Sequence, residues 1–294
     1  MWCVKEVISM VTKITIMNMK TKHFFFLALV LTWLGTLKMN AQNTFVDLGL
    51  PSGTLWATCN VGADSPEKAG TFFAWGETSG KATYEYSNYK HCKGTTSSLT
   101  KYCTDEKKGY NGFTDGLTEL QPEDDAATAN WGNEWQMPSE AQFKELLDDS
   151  YTTKEWTTLN GNNGLMITSK SNGRSIFLPA SGRCDSNVKD VGESGYYWSR
   201  LLNESSTIRA LYLYFYFSDE LHIRYNSEIR TFGFKVRPVR VQEAHTISGI
   251  PDGWKVNGTT TSGTYQAKGG DVLHFTPKNV PAGKRVKSIK VVKK

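Results

Sequence analysis

The sequence lacks the short motifs that identify most enzyme families. It contains no HExxH, no GxSxG turn, no P-loop, no GxGxxG and no EF-hand spacing. Histidine is also scarce, because residues 43–294 contain only those at positions 91, 222, 245 and 274, which are too scattered to suggest a shared metal site. We therefore predict no catalytic residue, no metal site and no cofactor.

Only one long hydrophobic run occurs, and it lies near the N-terminus. KTKHFFFLALVLTWLGTL (20–37) has a basic start and an apolar centre, and Ala41 follows at a position suited to cleavage. This pattern is typical of a secretory signal peptide and is short for a membrane span. We expect residues 1–42 to be a signal peptide, with 1–16 untranslated. The mature chain would be secreted or on the cell surface, without a transmembrane span.

Cysteine is rare and never occurs as CxxC, so a structural zinc site is not expected. After residue 42 the chain has an even number, namely Cys59, Cys92, Cys103 and Cys184. In an exported chain this is typical of two disulfides, and Cys92 with Cys103 is the first candidate because they lie close together in a Gly/Ser/Thr-rich segment. Three connectivities are possible, and four unpaired thiols are the alternative.

The main part of the chain has no excess of positive charge. Residues 43–240 carry 20 Lys and Arg against 25 Asp and Glu, whereas residues 241–294 carry 9 against 3. A nucleic-acid partner would need a basic stripe on the main domain, so none is expected. The basic C-terminus is interpreted as a solvated tail or as a contact with an anionic envelope surface.

Short β-strand patterns separated by turn residues dominate the chain after residue 42. One helix is predicted over 138–149, where Ser139 is the N-cap and Gln142 completes a capping box. Residues 79–130 are polar and without periodicity, which is typical of a functional or pinned loop. The predicted strands are two within 45–63, then 70–78, 164–170 and 174–181 joined by a Ser-Asn-Gly turn, 196–199, 210–217, 221–225 and 233–240.

The resulting fold class is α+β, with many short strands and one or two helices in a domain at 43–240. Residues 241–294, rich in Gly and Asn-Gly turns, are predicted to form a small all-β module. Within the domain, RALYLYFYFSDELHIRYN (209–226) has an unusual strand pattern. Leu213 and Phe215 share one face with Leu211 and Phe217, and three tyrosines occupy the other face. We expect the Leu/Phe face to be buried and the tyrosine face to be exposed.

Some charged and aromatic residues have two interpretations. The acidic triplet 123–125 could bind calcium, or it could form a solvated turn or cap the next segment. The tryptophans beside glycine are expected in the core, with a role as sugar-stacking platforms as the alternative. Three arginines within 230–240 are expected to pair with acidic neighbours and to cover apolar surface with their stems. These residues are Trp56, Trp75, Trp131, Trp135 and Trp198, and Arg230, Arg237 and Arg240.

Five ordered sequence blocks resemble the Fibrobacter succinogenes major paralogous domain. They are VDLGLPSGTLWATCNVGA, FFAWGET, DDAATANWGNEWQMPSEAQFKELL, GYYWSR and GFKVRPVR. This resemblance implies a C-type-lectin-like domain over about 45–240. WQMPSEAQF and GFKVRPV are also similar to the formylglycine-generating enzymes, which bind copper through a late cysteine pair. No cysteine follows Cys184, so the resemblance implies that fold but not that activity.

Residues 195–240 also resemble the variable region of diversity-generating retroelement targets. The resemblance implies a buried scaffold and a set of variable, exposed ligand-binding residues, whereas ordinary drift within a paralogous family is the alternative. The expected scaffold residues are Ala210, Leu213, Phe215, Arg230, Gly233, Phe234, Val236 and Arg237. The candidate ligand-binding residues are Arg200, Arg209, Tyr212, Tyr214, Tyr216, His222, Arg224, Tyr225, Thr231 and Phe232.

The sequence thus favours an exported, non-enzymatic recognition protein. Its aromatic and arginine residues within 199–232 suit contact with a protein or carbohydrate ligand on another cell or on a phage surface. One alternative is an enzyme on the sulfatase-modifying scaffold that uses the acidic triplet or a bound metal. Another is a structural subunit of the envelope or of a pilus tip.

Overall fold

The computed structural model describes residues 44–241, 244–256, 259–268, 275–276 and 278. The predicted signal peptide at 1–42 lies outside this part of the chain. The described residues form fourteen β-strands and two α-helices. Neither of these helices is long and apolar enough to cross a membrane.

The architecture is mainly β with few helices, in agreement with the coarse α+β prediction. The helices are α1 (Ala126–Trp131) and α2 (Glu140–Leu147), and 3₁₀ turns occur at Tyr86–Asn88, Tyr110–Gly112 and Pro122–Asp124. The strands are β1 (Phe45–Asp47), β2 (Thr54–Ala57), β3 (Thr152–Leu159), β4 (Asn162–Ser169), β5 (Ser175–Pro179), β6 (Ser181–Cys184), β7 (Val188–Val191), β8 (Ser194–Asn203), β9 (Ser206–Phe217), β10 (Leu221–Ile229), β11 (Val239–Val241), β12 (Ala244–Val256), β13 (Thr259–Lys268) and β14 (Phe275–Thr276).

These strands form four sheets. The largest, called here the central sheet, has the order β10-β9-β8-β6-β7 and is antiparallel except where Gly182 of β6 pairs with Gly195 of β8. The smaller sheets have the orders β1-β2-β11, β3-β4-β5 and β13-β12-β14. The last sheet contains the described strands of the predicted C-terminal all-β module.

The central sheet is buried on both faces in its middle. On one face Leu213 of β9 lies in a hydrophobic core with Phe143 of α2. On the other face Tyr212 of β9 lies in a second core with Trp198 and Phe234. Successive side chains of a strand point to opposite faces, so a strand between two cores carries a continuous apolar run. This explains the sequence of β9.

Both helices begin at side-chain caps. Ser139 Oγ accepts from the amide of Gln142 at 3.2 Å, and Gln142 Oε1 accepts from the Ser139 amide at 2.9 Å, which confirms the predicted capping box. Asp125 Oδ1 accepts from the amides of Ala127 and Thr128 at 2.8 and 3.0 Å and begins α1. One member of the acidic triplet therefore caps the next segment, as the structural interpretation requires.

Two predicted strands are wrong in extent. Residues 70–78 form no strand, because Gly70 and Gly76 adopt φ values of 70° and 80° and interrupt the extended backbone. Phe73 makes only a single bridge, to Phe234. Only the end of the predicted strand 233–240 is a strand, namely β11. Strands β3, β6 and β7 were not predicted. Their sequences are largely polar, and they are strands because they pair with neighbouring strands.

The expected ion pairs of two arginines are also wrong. Arg230 and Arg237 are fully buried. Arg237 donates to Asn60 Oδ1 at 2.8 Å and to three backbone carbonyls, and Arg230 donates to a tyrosine hydroxyl and three carbonyls. These guanidinium groups donate hydrogen bonds to buried backbone carbonyls of distant segments instead of pairing with carboxylates. Arg240 does pair with Glu134, at 3.1 Å.

No disulfide joins the four cysteines of the described chain. The predicted pair is wrong because its two thiols face different carbonyl groups. Cys92 Sγ donates to the carbonyl of Tyr86 at 3.0 Å, and Cys103 Sγ donates to that of Asp105 at 3.1 Å. The segment between them is held instead by backbone hydrogen bonds, including those of Leu99 with Lys108 and Tyr110.

Candidate functional site

One face of the central sheet carries a row of aromatic side chains that reaches the surface. Tyr214 of β9 lies between Tyr196 of β8 and Arg224 of β10 in the strand register, and Tyr216 lies beside His222 of β10. Tyr214, Tyr216 and His222 are half-buried, and Arg224 is exposed. These five residues are called the tyrosine face below.

The rings of the tyrosine face stack on one another. The centroid distance is 4.7 Å between Tyr196 and Tyr214, 5.2 Å between Tyr214 and Tyr216, and 4.5 Å between Tyr216 and His222. At the inner end Tyr196 lies 5.0 Å from Phe234 in the buried core. The half-buried rings are therefore fixed by a continuous row of ring contacts, tilted at its inner end and stacked at its outer end, that begins in the core.

Charged groups lie at both ends of the row. The guanidinium carbon of Arg183 lies 5.6 Å from the Tyr196 ring centroid, and the Tyr196 hydroxyl donates to Asp190 Oδ2 at 3.0 Å. Burial raises the pKa of Tyr196 far above its usual value, so this hydroxyl keeps its proton. At the other end His222 Nε2 lies 3.9 Å from Asp219 Oδ1.

Two of the predicted ligand-binding residues are buried, which corrects the expectation that they are exposed. Tyr212 is only 5% exposed and packs on Trp198 and Phe234, with ring centroids 6.0 and 4.9 Å away. Burial raises its pKa to about 12. Thr231 is 2% exposed. The second core, to which Phe73 and Trp75 contribute, covers this part of the sheet.

Four other predicted residues lie outside the tyrosine face. Arg200 pairs with Glu119, and Phe232 is half-buried against the core that contains Tyr212. Tyr225 lies on the opposite face of the sheet and packs 6.3 Å from Phe143. Arg209 begins on that opposite face and reaches a backbone carbonyl of β10 at 3.1 Å. These four residues therefore lie apart from the tyrosine face.

The structure thus brings together four of the ten predicted residues, namely the tyrosine face without Tyr196. It adds three that sequence reasoning missed. Tyr196 was predicted only as the first residue of the strand 196–199, and Arg183 and Asp190 lie in β6 and β7, which were not predicted. No local sequence signal connects these two residues to the tyrosines, because the contact depends on the strand order of the sheet.

A second polar cluster surrounds Asp124. Its carboxylate contacts Lys90 and Lys101, both at 2.6 Å, and accepts from the Tyr102 hydroxyl at 2.8 Å. Burial alone would raise the pKa of Asp124, but these hydrogen bonds outweigh burial and lower it to about 2. Burial lowers the pKa of the adjacent His91 to about 4. In the described part of the chain no three His, Cys, Asp or Glu side chains are placed to hold a metal ion.

Comparison with known proteins adds no further assignment. No protein-family model, curated protein or solved structure matches the chain. The family resemblances of the sequence therefore remain predictions.

Proposed function

We propose that this is an exported, non-enzymatic recognition protein that binds its ligand non-covalently at the tyrosine face. The observation that supports this most is the stack that extends from buried Phe234 to half-exposed Tyr216 and His222. Tyrosine supplies a large contact area with few torsions to immobilise, and here the torsions are already restricted by neighbouring rings. Arg224 supplies an adjacent exposed cation.

The stacking favours a protein over a carbohydrate as the ligand. A sugar packs its C–H groups on an open aromatic face, where the electron density of the ring is exposed. Tyr216 is stacked between Tyr214 and His222, with interplanar angles of 26° and 15°. Tyr214 in turn lies between Tyr196 and Tyr216. A ligand therefore meets ring edges, hydroxyl groups and Arg224, which suit hydrogen bonds to a polypeptide.

We further propose that the fold is C-type-lectin-like and that the chain belongs with the major paralogous domains it resembles. A mainly β domain with two short helices supports this assignment. The eight residues expected as scaffold are all buried, whereas Tyr214, Tyr216, His222 and Arg224 reach the surface. A buried frame with exposed variable positions is what retroelement diversification requires. A nearby reverse transcriptase gene and a near-copy of codons 195–240 that differs only at adenines would support diversification, and their absence would refute it.

The binding proposal is tested by screening the purified protein against arrays of bacterial and phage surface proteins and against a glycan array. Wild type is compared with Tyr216→Ala and with Tyr110→Ala, a control because Tyr110 is 47% exposed and lies outside the tyrosine face. We expect a protein hit that Tyr216→Ala loses and Tyr110→Ala retains. Glycan hits alone, or hits that survive Tyr216→Ala, would contradict the proposal.

A further inference from the structure

Strand β10 is an edge of the central sheet. It pairs antiparallel with β9, and just beyond its end the amide of Arg230 donates to the carbonyl of Ile208 at 3.1 Å. In such a pair alternate residues direct their backbone N–H and C=O groups away from the neighbouring strand. The even-numbered residues of β10 face β9. The outward-facing residues are Leu221, Ile223, Tyr225, Ser227 and Ile229.

Side chains of the protein itself block one half of this edge. Asn226 Oδ1 accepts from the amide of Ser227, and Glu228 Oε1 accepts from the amide of Ile229, both at 2.8 Å. Arg209 Nη1 donates to the carbonyl of Ser227 at 3.1 Å. Edge strands that are protected in this way do not accept a further strand.

The other half of the edge is open. The outward backbone groups of Leu221, Ile223 and Tyr225 have no hydrogen-bond partner in the part of the chain that the structure describes. They are spaced symmetrically about Ile223. We propose that this half-edge pairs antiparallel with the same half-edge of a second copy of the chain. Ile223 would lie opposite Ile223, and Leu221 opposite Tyr225, in a two-fold dimer.

Charge complementarity favours a second copy in this register. Arg224 is exposed and forms no ion pair within the described residues. In the proposed pairing Arg224 lies opposite His222 and diagonally across from Glu220 and Arg224 of the second copy. Of these three, Glu220 is the carboxylate that a long arginine side chain can reach. The two-fold axis creates this contact twice. Glu220 is 77% exposed, and the nearest basic side chain among the described residues is the His222 imidazole at 4.0 Å, so Glu220 is available for the contact.

The dimer has a consequence for recognition. A two-fold axis perpendicular to the sheet leaves both tyrosine faces on the same side of one continuous sheet. After one tyrosine face of the dimer has bound a repetitive surface, the second face is held close to the next ligand. The dimer should therefore bind such a surface more tightly than a single copy does. The dimer itself does not depend on the proposed function, because its evidence is the backbone of the edge and the charges beside it.

The test is sedimentation of the purified protein at concentrations from about 1 μM to about 1 mM, because a short edge contact forms a weak dimer. We expect the mass to rise from one chain to two. Ile223→Pro removes an outward N–H without removing a bond to β9 and should abolish dimerisation. Arg224→Glu should raise the dissociation constant about tenfold or more, and the Arg224→Glu/Glu220→Arg double variant should restore it.

Two controls make the result decisive. Arg174→Glu makes the same charge change at another exposed arginine and should leave the dimer unaffected. Amide hydrogen exchange should slow at Ile223 and Tyr225 as the concentration rises. A protein that remains monomeric throughout would overturn the proposal. So would a dimer that keeps its affinity in both Ile223→Pro and Arg224→Glu.

Discussion

Lys235 is a buried amine whose removal should stabilise the protein. It is 1% exposed, its Nζ donates to the carbonyl of Gly70 at 2.8 Å, and it lies 3.1 Å from the ring centroid of Phe72. No carboxylate pairs with it among the described residues. Burial lowers its pKa from 10.5 to about 7. A charged lysine is therefore much less favourable in the folded protein than in the unfolded chain.

The magnitude follows from linkage. A pKa decrease of about 3.5 at about 1.4 kcal/mol per unit corresponds to about 5 kcal/mol. Between pH 7 and pH 10.5 the folded protein holds Lys235 neutral, whereas the unfolded chain binds a proton there. Since the unfolded state binds more protons, the contribution of Lys235 to the free energy of unfolding becomes more favourable as the pH rises through this window. Below pH 7 both states are protonated and the full cost is present.

The assay is urea unfolding of wild type and Lys235→Met at pH 7, 8 and 9. The variant loses the hydrogen bond to Gly70, worth about 1 kcal/mol, so a net gain of about 3 kcal/mol is expected at pH 7. This gain should shrink by about 1.4 kcal/mol per pH unit, while exposed Lys107→Met shows no such trend. A difference between wild type and Lys235→Met that is independent of pH would refute the reasoning.

Three further predictions concern the cores and the Asp124 cluster. Phe215→Ala should lower the free energy of unfolding by about 3–5 kcal/mol, because Phe215 is fully buried. Tyr214→Ala should cost less than Phe215→Ala, and thermal unfolding compares the two; equal losses would mean that Tyr214 is a core residue. Asp124→Asn should be less stable than wild type at pH 7, because the pKa of Asp124 is lowered to about 2. That deficit should shrink as the pH falls from about 4 to 2, because in this window the unfolded wild-type chain takes up a proton at Asp124 while the folded protein does not. Acid titration followed by circular dichroism measures it, and a constant deficit would contradict the assignment.

Local chemistry was predicted well from the sequence. The capping box at Ser139 was readable because both partners lie within one turn of helix. The hairpin of β4 and β5 was predicted correctly because its turn residues select the register that pairs Thr168 with Ser175. Alternation predicted the scaffold positions of β9, and Leu213 and Phe215 are fully buried as expected. Phe217 on the same face is 45% exposed, so the expectation that the whole Leu/Phe face is buried is wrong at the end of the strand.

Contacts between distant segments could not be predicted from the sequence. Alternation correctly placed Tyr212 on the same side of the strand as Tyr214. It could not show that Phe234 and Trp198 bury Tyr212 and leave Tyr214 only half-buried. Arg237 was expected beside a carboxylate, yet its four acceptors are the side-chain oxygen of Asn60 and the carbonyls of Ala57, Thr58 and Phe177, which come from two distant chain segments. In each case the deciding partner is set by the order of segments in space, which periodicity does not encode.

The most direct test of the account is the affinity of the captured protein ligand for Tyr216→Ala, measured by titration calorimetry beside wild type and Tyr110→Ala. If the tyrosine face is the recognition surface, Tyr216→Ala should bind more weakly by about 1–3 kcal/mol while its thermal stability changes little. Tyr110→Ala should bind like wild type. Equal affinities for all three proteins would contradict the central claim.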